Sequence, residues 1–356
     1  MEGSSHTSAG PPMLHAAMAR RLYRRSVATG QIKLPAVPGM LEEYVKMCDT
    51  VFGGLGAPFT PDQLELLRAN LHKELTAAFE ASARSNIIIT YDAPVGEVLN
   101  YVIRAEWHSI AGAYESWVAT REPPLFGTEP DARVWSLAGE ATDPRACRVL
   151  DIGAGTGRNS LALARRGHPV DAVEMTPAFA DNIRADAYRE ALDIRVIPRD
   201  VFAAGEDLRS DYQLIVLSEV TPDFRIAEQL RDMFGLAAQR LAPGGRLVFN
   251  VFVARDGYLP DPAARELSQQ CYNMFFTPDE IADAAAGSGL QLVADDSVHD
   301  YEKAHLPEGA WPPTGWYAEW TRGLDVFDVE PQACPIDMRW LVYRKPAESD
   351  GNTVTR

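Results

Sequence analysis

RVLDIGAGTGRNSLALARRGHPVDAVEMTP, residues 148–177, is the stretch of sequence that decides the fold class of this protein. An apolar segment ends at Asp151, glycines follow at the alternate positions 153, 155 and 157, and a helical run begins after them. A tight turn with a ligand against its backbone needs residues without a Cβ atom. The first turn of the following helix offers unpaired N–H groups to such a ligand. The stretch therefore predicts a strand, a glycine-rich ligand-binding turn, a helix and a second strand.

The alternation of strands and helices continues towards the C-terminus. Apolar, β-branched segments at 194–198, 212–217 and 246–253 alternate with helical patterns at 177–191 and 223–241. This order is typical of a parallel sheet covered by helices on both faces. Two further strands are predicted at 289–294 and 338–345. The fold class is therefore predicted to be α/β, with a Rossmann-like, mostly parallel sheet of seven strands.

Acidic residues follow the strands at the edge where ligands bind in such sheets. Glu174 ends the second strand, where a carboxylate can accept hydrogen bonds from both hydroxyls of a ribose. Asp200 follows the third strand, where the edge of an adenine is expected. The carboxyl ends of parallel strands share one edge, so these acids and the glycine turn should converge on one crevice.

These motifs resemble the class I, Rossmann-like methyltransferases that use S-adenosylmethionine (SAM), over residues 145–345. VLDIGAGTG is similar to the family's first motif, and LAPGG at 241–245 to the turn before its fifth strand. The resemblance implies SAM as the cofactor and an antiparallel last strand. The implied cofactor-binding residues are Asp151, Gly153, Ala154, Gly155, Gly157, Asn159, Glu174, Met175, Asp200, Val201 and Ser218. A nicotinamide or flavin dehydrogenase is the rival interpretation, but its GxGxxG loop needs glycine where this chain has Arg158.

A catalytic base is needed only if the acceptor of the methyl group must lose a proton. Glu219, in the segment LSEVTPDF after the fourth strand, lies where the family faces the transferred methyl, or it caps the helix that follows. His305 and His108 are the other candidates, in segments that could close over the site. The (D/N)PPY signature of amino-methylating relatives is absent, which favours oxygen or carbon acceptors.

The chain as a whole is predicted to have four regions. They are a disordered tail at 1–12, an N-terminal helical and β-hairpin region at 13–135, the SAM-binding domain at 136–346, and a disordered tail at 347–356. The N-terminal region is interpreted as a cap, a homodimerisation surface or a packing layer, and Tyr114 is one of its polar candidates. The aromatic insert at 301–337 is interpreted as a wall of the acceptor pocket or a flap over the core, and Tyr272 is expected to line the same site.

The composition excludes several classes of function. A net charge of −16 argues against a nucleic-acid partner, which requires a basic face. The four cysteines are scattered without a CxxC pair, so no metal site is expected. No apolar run approaches the roughly 20 residues of a membrane span, and a cytoplasmic location is expected. The predicted function is methylation of a small organic acceptor, with specialised metabolism as the suggested setting. The alternatives are a peptide or protein side chain as acceptor, and a non-catalytic SAM-binding protein.

Overall fold

The computed structural model describes residues 11–95 and 98–347. Residues 1–10 and 348–356, which make up most of the two predicted disordered tails, lie outside the described residues. Within the described part, Pro11 and Pro12 already belong to a helix. The chain divides into two compact units, residues 1–109 and 110–356. The boundary predicted at 135 differs from this division because residues 110–135 make their contacts within the second unit.

The first unit combines helices with a three-stranded antiparallel sheet of order β1-β2-β3. Its elements are α1 (Pro11–Tyr23), β1 (Val27–Pro35), α2 (Leu41–Gly54), α3 (Pro61–Ala81), β2 (Asn86–Pro94) and β3 (Asn100–Glu106). The predicted hairpin is confirmed as β2 and β3. Strand β1 was not part of the prediction, which gave this region only helices and a β-hairpin. In β1 the side chains alternate, with Leu34 buried between exposed neighbours, and this two-residue period indicates a strand.

The core of the first unit lies between its helices and its sheet. Leu67, Leu71 and Leu75, at four-residue spacing on α3, are fully buried together with Ile87 and Ile89 of β2. The helix α3 starts with a capping box, in which the Thr60 hydroxyl accepts a hydrogen bond from the Gln63 N–H. The four-residue spacing of the leucines places them on the one face of α3 that packs on the sheet.

The second unit is an α/β domain. Its elements up to the middle of the sheet are α4 (Ile110–Thr120), α5 (Ala132–Ala138), β4 (Val149–Ile152), α6 (Arg158–Arg165), β5 (Val170–Val173), α7 (Pro177–Glu190), β6 (Ile194–Ile197), β7 (Tyr212–Leu217) and α8 (Ala227–Arg240). The remaining elements are β8 (Leu241–Ala254), α9 (Pro262–Gln270), β9 (Phe275–Phe276), α10 (Pro278–Ala285), β10 (Gln291–Ser297), α11 (Val298–His305), α12 (Tyr317–Trp320) and β11 (Ile336–Arg344).

The sheet confirms the predicted fold class. Seven strands follow the order β10-β11-β8-β7-β4-β5-β6, and the short β9 adds an eighth strand by pairing with β8. The last strand, β11, is antiparallel to both of its neighbours, as the resemblance implied. The LAPGG segment lies inside the long β8, whereas it was predicted to precede that strand. The strand order reverses between β4 and β7, which is where open α/β sheets bind their ligands.

The insert at 301–337 packs on the core of the second unit. Tyr317 and Trp320 are buried in the apolar cluster that also contains Trp340 of β11. Glu302 of α11 is buried and accepts hydrogen bonds from the N–H of Ala132 (2.7 Å) and the Trp340 indole N–H (2.9 Å). These contacts tie α11 to α5 and to the last strand, so the insert is an integral part of this unit.

Candidate active site

The glycine turn between β4 and α6 follows the predicted geometry. Gly153, Gly155 and Gly157 have φ angles of 68°, 55° and 86°, a left-handed region that favours glycine. A Cβ atom at Gly153 would lie 2.3 Å from Cγ2 of Val220, in the loop after β7. The backbone therefore passes Val220 too closely for any other residue, and Gly157 is the N-cap of α6.

Asp151 supports this turn from beneath. Its buried carboxylate accepts a hydrogen bond from the Ser160 hydroxyl at 2.6 Å, on the first turn of α6. Burial raises the pKa of Asp151 to about 7, although the hydrogen bond from Ser160 opposes the shift. The residue thus joins the strand end to the helix start, and it also borders the cavity described below.

Glu174 holds the turn from the neighbouring strand. One carboxylate oxygen accepts from the Gly155 N–H at 2.7 Å, and the other accepts from the Thr176 N–H at 2.6 Å. Each oxygen keeps a second lone pair for a further donor. The carboxylate therefore stabilises the glycine turn and can still accept hydrogen bonds from further donors, such as hydroxyl groups.

The next strand contributes Asp200 and Val201. Asp200 accepts a hydrogen bond from the Phe202 N–H at 2.8 Å, which begins a short 3₁₀ turn at Val201. Val201 is buried, whereas Met175 beyond β5 is 40% exposed. These residues border the same cavity as the glycine turn, so the predicted convergence of three strand ends is observed.

Glu219, after β7, has a strained backbone and a buried ion pair. Its φ angle of 61° is unusual for a residue other than glycine. Its N–H donates to Oδ1 of Asn250 at 2.7 Å, which holds the loop. Its carboxylate lies 2.8 Å from the guanidinium of Arg158, which also binds Asp131 at 2.7 Å. Burial raises the pKa of Glu219 to about 7, and Arg158 opposes the shift.

The raised pKa of Glu219 predicts a pH dependence of stability. The folded chain holds this proton more tightly than the unfolded chain, so protonation of Glu219 stabilises the fold. We expect the unfolding free energy of the wild type, relative to Glu219→Gln, to be highest below pH 4.5 and to fall as the pH rises to about 7. Urea unfolding across this range measures the difference. Glu228→Gln, on the exposed side of α8, is the control. If the unfolding free energies of the wild type and Glu219→Gln change with pH in parallel, the raised pKa of Glu219 is contradicted.

One cavity of about 580 Å³ brings these residues together, a size within the range of small-molecule sites. Its lining includes Glu219 and ten of the eleven predicted cofactor-binding residues: Asp151, Gly153, Ala154, Gly155, Asn159, Glu174, Met175, Asp200, Val201 and Ser218. The exception is Gly157, which caps α6 instead. Asn159 lines the cavity while its amide exchanges hydrogen bonds with buried Asp131, at 2.8 and 3.0 Å.

A wall of aromatic rings forms another part of the lining. Its members have ring centroids 5.3–6.3 Å from their neighbours, and they are Tyr114, Trp117, Phe126, Phe179 and Tyr272. The Tyr114 hydroxyl donates to Asp223 at 2.7 Å, which connects the wall to the loop after β7. Trp316 and Trp320 of the insert also line the cavity, so the insert contributes to the wall and covers the core.

Part of this wall was not predicted from the sequence. Tyr114 was named as a polar candidate and Tyr272 as a residue expected to line the site, but Trp117, Phe126 and Phe179 were not named. Trp117 and Phe126 lie in residues 110–135, which were assigned to the N-terminal region. The spacing of Tyr114 and Trp117 on one face of α4 was the available signal.

The structure corrects the two histidine candidates. His305 is exposed, its ring stacks on Tyr301 with centroids 4.2 Å apart, and it is not among the residues that line the cavity. It lies at the end of α11 and its Nδ1 is 2.8 Å from the Tyr301 carbonyl oxygen. His108 belongs to the first unit, where it pairs with Glu106 at 3.1 Å. Of the three predicted catalytic residues, only Glu219 borders the cavity.

Residues 11–95 and 98–347 contain no group of three or more His, Cys, Asp or Glu side chains able to hold a metal ion. In the same ranges, no helix is both long enough and apolar enough to cross a membrane.

Known proteins are similar to parts of this chain. Residues 124–295 match a family model described as a methyltransferase domain. A 111-residue segment is 33% identical to Hemagglutinin 1 of Eikenella corrodens, and a 159-residue segment is 26% identical to the ubiquinone biosynthesis O-methyltransferase of Coxiella burnetii. These segments cover 30% and 42% of this chain, and 34% and 66% of the respective relatives. The chain therefore spans about a third of the first relative and just under two thirds of the second.

A solved structure is similar to part of this chain. The geranyl diphosphate C-methyltransferase of Streptomyces coelicolor is 16% identical, with a TM-score of 0.45, over 60% of this chain and 78% of that protein.

Proposed function

We propose that the protein transfers the methyl group of SAM to a small organic acceptor, because residues 124–295 match a family model described as a methyltransferase domain. The observation that carries the proposal is the cavity, which is lined by both the glycine turn and the aromatic wall. The glycine turn can bind a polar, nucleotide-like ligand, and the aromatic wall offers a surface for an apolar acceptor.

The residues present fit the cofactor. Ser218 Oγ and Thr176 Oγ1 are buried side-chain atoms that make no hydrogen bond within the described residues, and both residues border the cavity. Buried hydroxyls are normally paired, so two of them beside a cavity favour a polar ligand. Gly153 and Gly155 border the cavity without side chains, so their backbone is open to that ligand.

The predicted cofactor residues have distinct roles in this proposal. Gly153, Gly155 and Asp151 shape the pocket for the methionine portion of SAM. Glu174 accepts hydrogen bonds from the ribose hydroxyls, and Asp200 accepts one from the adenine amine, with Val201 beside the ring. When bound, SAM supplies an electrophilic methyl group on its sulfonium.

The main catalytic contribution of the chain is to position the acceptor. Most of the advantage in such a displacement comes from orientation, and the rigid aromatic wall can hold a planar acceptor with little loss of side-chain entropy. Glu219 is placed to take a proton from an acceptor hydroxyl or an acidic C–H group. Its pKa of about 7 suits a general base near neutral pH. These features favour O- or C-methylation.

The first test is binding, followed by transfer. We expect SAM and S-adenosylhomocysteine (SAH) to bind the full chain with micromolar dissociation constants, measured by calorimetry. Radiolabelled SAM is then incubated with phenols, carboxylic acids, carbon acids, amines and peptides, and labelled products are counted. Transfer to phenols, carboxylic acids or carbon acids supports the proposal. Transfer to peptides alone would show that the acceptor is a peptide or protein side chain and not a small organic molecule. Binding without transfer to any of these would favour a non-catalytic SAM-binding protein, and absence of binding would overturn the proposal.

A further inference from the structure

Arg121 occupies an unusual position at the edge of the cavity. It directly follows α4, and its N–H donates to the Trp117 carbonyl oxygen at 2.9 Å. Its guanidinium carbon lies 3.8 Å from the centroid of the Trp117 ring, a cation–π contact. Both residues line the cavity, and the Arg121 side chain is exposed. The contact with the tryptophan ring restrains the guanidinium, and the exposed side chain leaves N–H groups accessible.

Arg121 differs from the other arginines of the lining in its partners. Arg158 is bound by Asp131 and Glu219, and Arg199 pairs with Asp207 at 3.3 Å. Arg121 forms no ion pair with any acid in the described part of the chain. It is thus a positive charge within the lining that no carboxylate of residues 11–95 or 98–347 pairs with.

Two acids of the cavity lining are engaged by other protein groups. Asp223 accepts the hydrogen bond of the Tyr114 hydroxyl, and Glu219 is paired with Arg158. Asp325 also lines the cavity, and burial raises the pKa of its carboxyl.

Trp117 links this cation to the aromatic wall. Its ring lies 5.3 Å from that of Tyr272 and 6.2 Å from that of Phe126, centroid to centroid. A ligand whose anionic end reaches Arg121 would thus place its body against these flat rings. Aromatic faces favour planar ligands through stacking and edge-to-face contacts.

We propose that Arg121 and Trp117 form an acceptor-recognition site, and that the acceptor is a planar, unsaturated molecule bearing a carboxylate. The guanidinium fork matches a carboxylate with two parallel hydrogen bonds. A singly charged carboxylate suits this site better than a doubly charged phosphate, because six acids and three arginines line the cavity. The inference rests on the proposed function, since it names the substrate class for the same cavity.

The test compares two probes of equal shape on the full chain saturated with SAH. Naphthalene-2-carboxylate and naphthalene-2-carboxamide differ in the charge of one group, and calorimetry measures both affinities. We expect the wild type to bind the carboxylate about 10-fold more tightly, as a charge-assisted hydrogen-bonded pair provides. Arg121→Gln should abolish this preference, whereas Arg121→Lys should retain part of it.

Arg166 offers a matched control. Its guanidinium carbon lies 4.4 Å from the centroid of Trp135, so it forms the same kind of stack, but neither residue lines the cavity. Arg166→Gln should keep the wild-type preference for the carboxylate. Equal affinities for the two probes, or no binding of either, in SAH-loaded wild type would overturn the inference and leave the proposed function standing. Failure of SAH to bind would overturn both.

Discussion

Replacing Glu174 by glutamine is expected to weaken SAH binding by about 10- to 100-fold, since lost hydrogen bonds to a buried charged group cost about 1.5–3 kcal/mol. The carboxylate accepts from the Gly155 and Thr176 N–H groups. A glutamine would direct its NH₂ group towards one of these donors, and the glycine turn would lose one of its acceptors. The ribose hydroxyls would lose an acceptor at the same time. Calorimetric titration of SAH into both proteins measures the loss.

The matched control for this substitution is Glu190→Gln. Glu190 ends α7 and pairs with Arg165 at the protein surface, and it is not part of the cavity lining. An exposed ion pair contributes little to stability, so the control should bind SAH as the wild type does. Wild-type affinity in Glu174→Gln would exclude Glu174 as the ribose-binding acid. The melting temperature of each variant separates a loss of binding from a loss of fold.

A second large effect is expected for Gly153→Ala, which should lower SAH affinity by about 100-fold or more. The added Cβ atom would lie 2.3 Å from Cγ2 of Val220, so the turn or the loop after β7 must move. Alanine at a φ angle of 68° costs about 1–2 kcal/mol in addition. A ligand that contacts this backbone would lose its fit, and calorimetry with SAH would show it.

Two further variants separate the causes of that loss. Gly257 has a φ angle of 85°, and an added Cβ there meets nothing within 4 Å, so Gly257→Ala tests backbone strain alone. It should bind SAH normally. Adding Val220→Ala to Gly153→Ala removes the steric overlap and should restore part of the affinity. If Gly153→Ala binds SAH as tightly as the wild type, the close approach at this turn is unrelated to the ligand.

The sequence by itself determined the features that depend on local spacing. This turn requires left-handed backbone at residues 153, 155 and 157, which glycine adopts readily. The alternation of strands and helices places the strand ends at one edge of the sheet. Glu174 and Asp200 could therefore be assigned to one crevice without coordinates. The antiparallel last strand followed from the resemblance that these motifs carry. The glycine turn depends on backbone geometry within a few residues, and the shared edge follows from the order of strands and helices along the chain.

Only the tertiary structure decided which distant side chains complete the cavity. Arg158 binds Asp131 and Glu219, residues far apart in sequence, and Phe126 packs near Gly155. No local period signals such contacts, because they depend on how loops of different lengths pack over the sheet. His305 is an example of a residue that was predicted to belong to the site and does not line the cavity. Its segment was expected to close over the site, but the helix α11 directs that ring onto Tyr301 instead. The position of a side chain in a loop is set by long-range packing, and that information enters only with the fold.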